Sequence, residues 1–183
     1  WIGRWPGGDW QVANCDVGQG DSLVINLGAH RGIVIDTGPD GQLEDRCLSQ
    51  LGMSEVSLLV LTHFHADHVE GVAGLVRHRK VGQVWVSSNV EPVFESQRVQ
   101  QWLTGLPMEV VARGMSANLA SNRGQISIQV LWPDDGAHAF EVLPGDGSAV
   151  NNSSIALLIH APDFSLFSAG DLEPPVQSEI LDS

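Results

Sequence analysis

Basic residues are scarce in this sequence, which has nine Lys and Arg side chains against 22 Asp and Glu and a formal net charge of -13. Because a phosphate backbone is attracted by cations, this charge argues against a protein that binds nucleic acid over a broad surface. It does not exclude a narrow nucleic-acid site, since bound divalent cations reverse the local field around clustered carboxylates. A metal-dependent site is therefore compatible with the composition.

Long apolar runs are also missing. The longest, residues 56–61 and 155–159, have the length of strands, whereas a membrane-spanning helix needs about 20 apolar residues. The N-terminal residues lack the apolar stretch of a signal peptide, and the first methionine is Met53. We therefore expect residues 1–183 to form a single domain that is part of a longer protein.

Cysteine is rare as well, with Cys15 and Cys47 as the two examples. Two interpretations stay open for them. They are small buried side chains, or they form a disulfide if the domain is exported to an oxidising compartment.

Short apolar runs alternate with amphipathic segments along the chain, which predicts a mixed α/β (α+β) fold with helical layers over β-sheets. A loop rich in Gly, Asp and Pro is expected over residues 133–153. The predicted helices cover residues 43–51, 67–78, 92–103 and 174–181. The predicted strands cover residues 11–16, 22–27, 32–36, 57–62, 83–87, 108–112, 125–132, 154–160 and 164–169.

The segment that indicates chemistry lies between a predicted buried strand and a helix. Three imidazoles and one carboxylate fall within six residues there: His63, His65, Asp67 and His68. His63 and His65, two residues apart at a strand end, can point the same way, while Asp67 and His68 open the helix and can face a second ion. Imidazole and carboxylate are suitable ligands for Zn or Mn, so this turn predicts a divalent-metal site.

This arrangement resembles the signature of the metallo-β-lactamase superfamily. The resemblance implies an αββα sandwich with a two-ion catalytic site between the sheets, held by His63, His65, Asp67 and His68. Two further segments resemble the family's other motifs: Ile35-Asp36-Thr37-Gly38 and Ser168-Ala169-Gly170-Asp171. They imply that Asp36 orients a ligand histidine and that Asp171 bridges the two ions.

Two more stretches resemble the ComEC family of competence proteins: Cys15-Asp16-Val17-Gly18-Gln19-Gly20-Asp21-Ser22 and Asn151-Asn152-Ser153-Ser154-Ile155. That family consists of multi-spanning DNA-uptake channels that carry a metallo-β-lactamase-like domain. Gly18 and Gly20 allow a tight turn close to the site. Asp16, Gln19 and Asp21 then either support the site with polar groups or belong to an ordinary turn between strands.

The sequence departs from the superfamily pattern in two places. Many members have a third histidine for the first ion, but here that region holds Asn151 and Asn152, which we expect to contact substrate or to act as weak ligands. The nearest upstream histidine, His138, is interpreted as a solvated loop residue. The second departure is that no histidine follows His160, so the last His-rich motif is absent and the sandwich is C-terminally truncated. We expect such a chain to bind metal poorly and to be catalytically impaired.

The remaining candidates are weaker. His30, His78 and His160 have no partners at ligand spacing and are interpreted as surface or packing residues. One basic cluster, formed by Arg77, Arg79 and Lys80, either complements a helix C-terminus or contacts phosphate at a DNA groove.

The resemblance implies a metal-dependent nuclease (phosphodiesterase) domain of a bacterial DNA-uptake channel, which degrades the strand that is not imported. It would use two Mn or Zn ions and lie on the extracytoplasmic face of the cytoplasmic membrane. Its partners would be DNA and the channel part of the same parent chain, without lipid contact of its own. Two alternatives stay open: a hydrolase of the same fold that cleaves a lactam, lactone or thioester, and a non-catalytic domain that binds DNA or gates the channel.

Overall fold

The computed structural model describes residues 6–7, 9–134 and 147–182, and it contains two β-sheets. The six strands of the first sheet, in chain order, are β1 Val12–Asn14, β2 Leu23–Gly28, β3 Arg31–Ile35, β4 Glu55–Leu61, β5 Lys80–Val86 and β6 Met108–Val110. The four strands of the second are β7 Ser116–Ser121, β8 Gly124–Trp132, β9 Ala156–His160 and β10 Ser165–Ser168. Strands β1 to β3 pair antiparallel, β3 to β6 pair parallel, and the second sheet, ordered β10-β9-β8-β7, is antiparallel throughout.

Strand β4 contributes side chains to the hydrophobic cores on both faces of the first sheet. Leu59 and Leu61 face a core shared with helices, while Leu58 and Val60 face a second core shared with β8 and β9. A strand that is covered on both faces must be apolar at every position rather than at alternate ones. The apolar run predicted as a buried strand is therefore the centre of the molecule.

Helices cover the outer faces of both sheets. The six helices of the described part are α1 Gly41–Gln50, α2 Ala66–Val69, α3 Val72–His78, α4 Val93–Trp102, α5 Ser148–Asn151 and α6 Pro174–Leu181. Side chains of α1, α3 and α4 pack in the core behind the first sheet. Val176 of α6 packs on Trp132 and Ala156 behind the second sheet. The predicted αββα sandwich is confirmed. No helix in the described ranges has the length and apolarity to cross a membrane.

The helix predicted over residues 67–78 is two helices, α2 and α3, separated at Glu70 and Gly71. A Cβ added at Gly71 would lie 1.9 Å from the Thr37 carbonyl oxygen, and one at Gly74 would lie 1.7 Å from that of Gly41. The break therefore lets α3 approach α1 at backbone contact distance. Strand β7 and the short helix α5 were not predicted, because neither segment has a strong apolar pattern.

Cys15 and Cys47 form a disulfide that joins the residue after β1 to helix α1. Of the two interpretations that the sequence left open, the structure has the cross-linked one. The disulfide lies at the start of the Asp-Val-Gly-Gln-Gly-Asp segment, so it fastens that segment to the helical layer.

Helix α1 also carries a buried acidic side chain, Glu44, with no exposed surface. Burial raises the pKa of Glu44 to about 8, although nearby Ser22 and Arg79 lower it. The folded protein therefore keeps the proton at pH values where the unfolded chain, with a pKa near 4.5, has lost it. Stability is highest below that lower pKa and falls as pH rises toward the upper one, by at most about 5 kcal/mol.

We predict that Glu44→Gln removes most of this pH dependence, because a neutral amide has no proton to lose. Urea unfolding at pH 5 and pH 8 should show a smaller difference in the free energy of unfolding for Glu44→Gln than for the unmodified chain. Glu95→Gln on α4 makes the same chemical change on a half-buried side chain and serves as the control. If the free energy of unfolding changes equally between pH 5 and pH 8 in the unmodified chain, Glu44→Gln and Glu95→Gln, Glu44 is not the buried acid that we infer.

Candidate metal centre

The predicted metal-binding residues meet at one end of the sandwich, where strands of both sheets end or begin. His63 follows β4 and Asp36 follows β3 in the first sheet, while Asp171 follows β10 in the second. The two sheets are linked at this point by a hydrogen bond from the Ile155 amide to the Thr62 carbonyl, 3.0 Å long. The site is therefore formed by residues at the ends of strands, which the core holds in fixed positions.

The turn after β4 brings two imidazoles into contact with their ring planes nearly perpendicular. His63 is fully buried, and its Nε2 lies 3.1 Å from Nδ1 of His65. His65 occupies the residue before α2 and has extended backbone. The alternation expected of a strand end thus directs both rings to one side.

His68 and Asp171 form a second close pair. Nε2 of His68 lies 3.4 Å from Oδ2 of Asp171, and Nδ1 of His68 lies 2.9 Å from Oδ2 of Asp36. His68 is thus held by a carboxylate at one nitrogen and presents the other toward Asp171. A histidine oriented by a carboxylate is the arrangement that metal sites favour.

These spacings fit a divalent ion. Ligand atoms of His63, His68 and Asp171 all lie within 4.8 Å of one another, the one such group among the residues that the structure describes. Two ligands of a tetrahedral zinc ion, each at about 2.0–2.1 Å, lie about 3.3 Å apart. The His63–His65 and His68–Asp171 separations, 3.1 and 3.4 Å, match that spacing. We therefore assign His63, His68 and Asp171, with His65 beside His63, as the residues that could hold metal.

The charges of the cluster support this assignment. Burial, with the neighbouring His68, lowers the pKa of His63 to about 3, so this imidazole is neutral and keeps a lone pair. Burial alone would lower the pKa of His68, but its hydrogen bonds with Asp171 and Asp36 outweigh that effect and raise it to about 10. The hydrogen bond with His68 in turn lowers the pKa of Asp171. A metal ion must therefore displace a proton from His68, which makes binding release protons.

Asp36 has an unusual backbone, with a φ of 57° at a residue other than glycine. Aspartate tolerates this left-handed region better than most residues, and here it turns the side chain back across the strand ends. Oδ1 accepts from the Thr62 amide at 2.8 Å, and Oδ2 accepts from the Thr62 hydroxyl at 2.7 Å and from His68. The structure thus places Asp36 where the resemblance assigned an orienting role.

The segment after the disulfide lies against Asp67. Nε2 of Gln19 donates to Oδ2 of Asp67 at 3.4 Å. A Cβ on Gly20, whose φ is 76°, would lie 1.8 Å from the Asp67 carbonyl oxygen, so only glycine fits there. Asp67 itself is not in the group of three with close ligand atoms.

Asp21 and Asp16 differ in their positions. Asp21 lines a pocket of about 160 Å³ together with Asn14 and Asp36, and its carbonyl accepts from the Gly38 amide at 2.8 Å. Asp16 is exposed at the surface.

Comparison with known proteins identifies the family. The model of the metallo-β-lactamase superfamily matches residues 15–183, nearly the whole chain. The chain belongs to the metallo-β-lactamase superfamily.

A relative named for the ComE operon supports the ComEC resemblance. ComE operon protein 3 of Bacillus subtilis is 24% identical over 192 residues, which cover 93% of this chain. The chain spans 23% of the length of that relative.

Solved structures to which the chain is similar include zinc-bound PqqB from Methylobacterium extorquens, at 15% identity and a TM-score of 0.48 over 80% of this chain and 47% of that one. A metallo-β-lactamase from Staphylococcus aureus matches at 17% identity and a TM-score of 0.45, over 81% of this chain and 38% of that one.

One of the two asparagines at the position of the superfamily's third histidine has a role that we did not predict. Asn152 is buried, its Nδ2 donates to the Glu173 carboxylate at 3.2 Å, and its Oδ1 accepts from the Glu173 amide at 3.0 Å. Both ends of this amide are used within the protein, so our expectation of Asn152 as a ligand or substrate contact is withdrawn. It instead fastens the segment that follows Asp171. Asn151 ends α5, and its Oδ1 is buried.

The other histidines lie away from the cluster or outside the described ranges. His160 is at the far end of β9 from Thr62, with Nδ1 2.8 Å from the Ser165 hydroxyl. His30 contacts the Gly52 carbonyl and His78 contacts Asp45. His138 falls outside the described residues.

The basic cluster does not border the metal centre, which corrects one predicted DNA contact. The Arg79 side chain is 1% exposed, and its guanidinium donates to Asp45, Ser49 and the Met53 carbonyl. Arg79 therefore braces α1 and is not available to phosphate. Arg77 and Lys80 are exposed, but Lys80 opens β5 beside Glu55, whereas the metal-binding turn follows Leu61 at the other end of β4. Six residues of strand separate them, about 20 Å.

Two functional neighbours were missed by the sequence analysis, Thr62 and Ser154. Both are fully buried, and their hydroxyls lie 3.0 and 3.1 Å from Nδ1 of His63. Thr62 could have been found as the polar residue that ends an otherwise apolar strand directly before the first histidine. Ser154 lies in the Asn151–Ile155 stretch that resembles ComEC, but that resemblance gave it no role.

We predict that His65→Ala and His68→Ala each weaken Zn or Mn binding by more than about 100-fold, beyond the 10- to 100-fold loss typical of residues that only support a ligand. Metal analysis and titration calorimetry on the purified chain measure the effect. His160→Ala, an exposed histidine at the opposite strand end, is the matched control. Undiminished metal content in both site variants would refute the assignment.

Proposed function

We propose that this chain is the metal-dependent phosphodiesterase domain of a ComEC-type DNA-uptake protein and that it degrades the strand that is not imported. The observation that carries the proposal is the cluster of His63, His68 and Asp171 beside the Gln19–Asp67 contact. That contact joins the metal turn to the Asp-Val-Gly-Gln-Gly-Asp segment, the part of the sequence that resembles ComEC. The relative named for the ComE operon supports the same assignment.

The cluster has a closed side and an open side. The His68 side chain is 1% exposed, whereas that of Asp171 is 37% exposed. A substrate would therefore approach from the side of Asp171, while His63 and His68 stay shielded from water. When bound there, divalent ions lower the pKa of a bound water and stabilise charge on an attacked phosphate.

The acidity of the chain sets a condition on DNA binding. The formal net charge is -13, and the exposed cations Arg77 and Lys80 lie at the opposite end of the strands from the metal centre. Phosphate would approach carboxylates here unless metal ions had changed the sign of the local field. DNA binding by this domain should therefore require the divalent ion.

The disulfide supports an extracytoplasmic location for the proposed domain. Disulfides persist in oxidising compartments and are rare in the cytosol. Cys15 and Cys47 are cross-linked, as expected for a domain that meets DNA outside the membrane. The channel portion of the same parent chain would then be its partner, and the domain itself would need no lipid contact.

We predict slow cleavage of labelled DNA by this chain in the presence of Mn, with no turnover of a chromogenic β-lactam. Asp171→Asn should abolish cleavage because it removes a ligand charge on the open side of the site. The double variant Arg77→Gln and Lys80→Gln changes distant cations and should cleave as the unmodified chain does. Lactam turnover with intact DNA would favour the lactam, lactone or thioester hydrolase.

We further predict that DNA retention in a filter or mobility assay disappears when the ion is removed with a chelator. Metal-dependent retention without cleavage would favour the non-catalytic DNA-binding or gating domain. The same assays on a longer form of the parent protein test our expectation that the present chain is impaired. Equal metal affinity and equal cleavage in both forms would show that it has the ligands it needs.

A further inference from the structure

We propose that Thr62 fixes the tautomer of His63 and so relays the negative charge of Asp36 to an imidazole that Asp36 does not contact. The purpose of this relay rests on the proposed metal centre. The tautomer itself is a property of the metal-free chain and can be measured without any activity.

The Thr62 hydroxyl has a single proton to donate. Its oxygen lies 2.7 Å from Oδ2 of Asp36 and 3.0 Å from Nδ1 of His63. Asp36 also accepts from the Thr62 amide and from Nδ1 of His68, and a carboxylate with three such donors can only accept. The hydroxyl proton therefore points to Asp36, and the oxygen lone pairs face His63.

His63 must respond to that orientation. A lone pair on Nδ1 would oppose the lone pairs of the Thr62 oxygen at 3.0 Å, whereas an Nδ1–H group donates to them. Because Thr62 and His63 are both fully buried, water cannot replace either partner, and an unmade hydrogen bond is costly there. The favoured neutral form of His63 thus carries its proton on Nδ1.

Ser154 does not decide the tautomer. Its hydroxyl lies 3.1 Å from Nδ1 of His63 and accepts from the Asp171 amide at 3.3 Å. A serine hydroxyl can either donate to Nδ1 or accept from it. Ser154 is therefore compatible with both tautomers. So is the contact between His63 Nε2 and His65 Nδ1, in which either ring can donate. Thr62, whose proton is committed to Asp36, distinguishes the two forms.

The consequence is a lone pair at Nε2 of His63, the atom that faces His65 Nδ1 at 3.1 Å. His68 is bonded to Asp36 through Nδ1 and directs its other nitrogen, Nε2, toward Asp171. One buried carboxylate would thus prepare two histidines for metal, His68 by direct contact and His63 through Thr62. Thr62 is on this view a positioning residue.

The test compares Thr62→Val, which keeps the branched shape without the hydroxyl, with Thr62→Ser, which keeps the hydroxyl. Long-range hydrogen–nitrogen correlation spectra of the metal-free, isotope-labelled chain distinguish protonated from unprotonated imidazole nitrogens. We expect His63 to be protonated at Nδ1 in the unmodified chain and in Thr62→Ser. In Thr62→Val the Nε2-protonated form should gain population, and metal affinity should fall about 10- to 100-fold, with Thr62→Ser close to unmodified.

An Nε2-protonated His63 in the unmodified chain would overturn the proposal, and so would an unchanged tautomer in a folded Thr62→Val. If Thr62→Val does not fold, the unmodified and Thr62→Ser spectra still decide, because both must show the Nδ1 proton. The outcome is separable from the proposed activity. If the chain shows the expected tautomer but does not cleave DNA, the nuclease proposal is rejected and the proposal for Thr62 stands. If it cleaves DNA but shows the other tautomer, the proposal for Thr62 is rejected and the nuclease proposal stands.

Discussion

The arrangement of the metal centre depends on one buried acidic side chain, that of Asp36, which is 1% exposed. Burial raises the pKa of Asp36, and its contacts with His68 and Thr62 oppose that shift. A carboxylate withdrawn from water is tolerated only if donors replace its hydration. Those donors come from the strand end that carries Thr62 and from the helix that carries His68, so the termini of β3, β4 and α2 must converge on one point. The left-handed backbone of Asp36 is the local strain that accompanies this convergence, and such strain is characteristic of functional sites.

From Asp36 the contacts continue in a closed ring across both sheets. Asp36 contacts Thr62, and Thr62 contacts His63. His63 contacts Ser154, whose hydroxyl accepts from the Asp171 amide. The Asp171 carboxylate contacts His68, and His68 contacts Asp36, which closes the ring. Each residue of the ring therefore restricts the orientation of the residue that it contacts. The two histidines and the aspartate are therefore positioned before any ion arrives, which reduces the reorganisation that binding requires.

The sequence predicted the parts of this site that depend on short-range pattern. An apolar strand followed by closely spaced histidines indicated the turn at His63, and the αββα layers followed from alternating elements and from the family resemblance. It could not show that Asn152 binds Glu173 or that Arg79 is buried against α1, because those contacts join residues 21 and 34 positions apart. Thr62 was missed for another reason: its function lies in the direction of one hydroxyl proton, which no spacing of residues encodes.

The disulfide separates the residues of the site into those inside a cross-linked loop and those outside it. Cys15 and Cys47 close a loop of 32 residues that contains Asp36, whereas His63, His68 and Asp171 lie on the chain beyond it. Closing a loop of that size removes about 4 kcal/mol of chain entropy from the unfolded state. Partial opening of the chain can therefore release the ligands while the carboxylate stays inside its cross-linked loop. Asp36 and the metal ligands thus belong to segments that differ in covalent constraint: Asp36 lies inside the cross-linked loop and the ligands lie outside it.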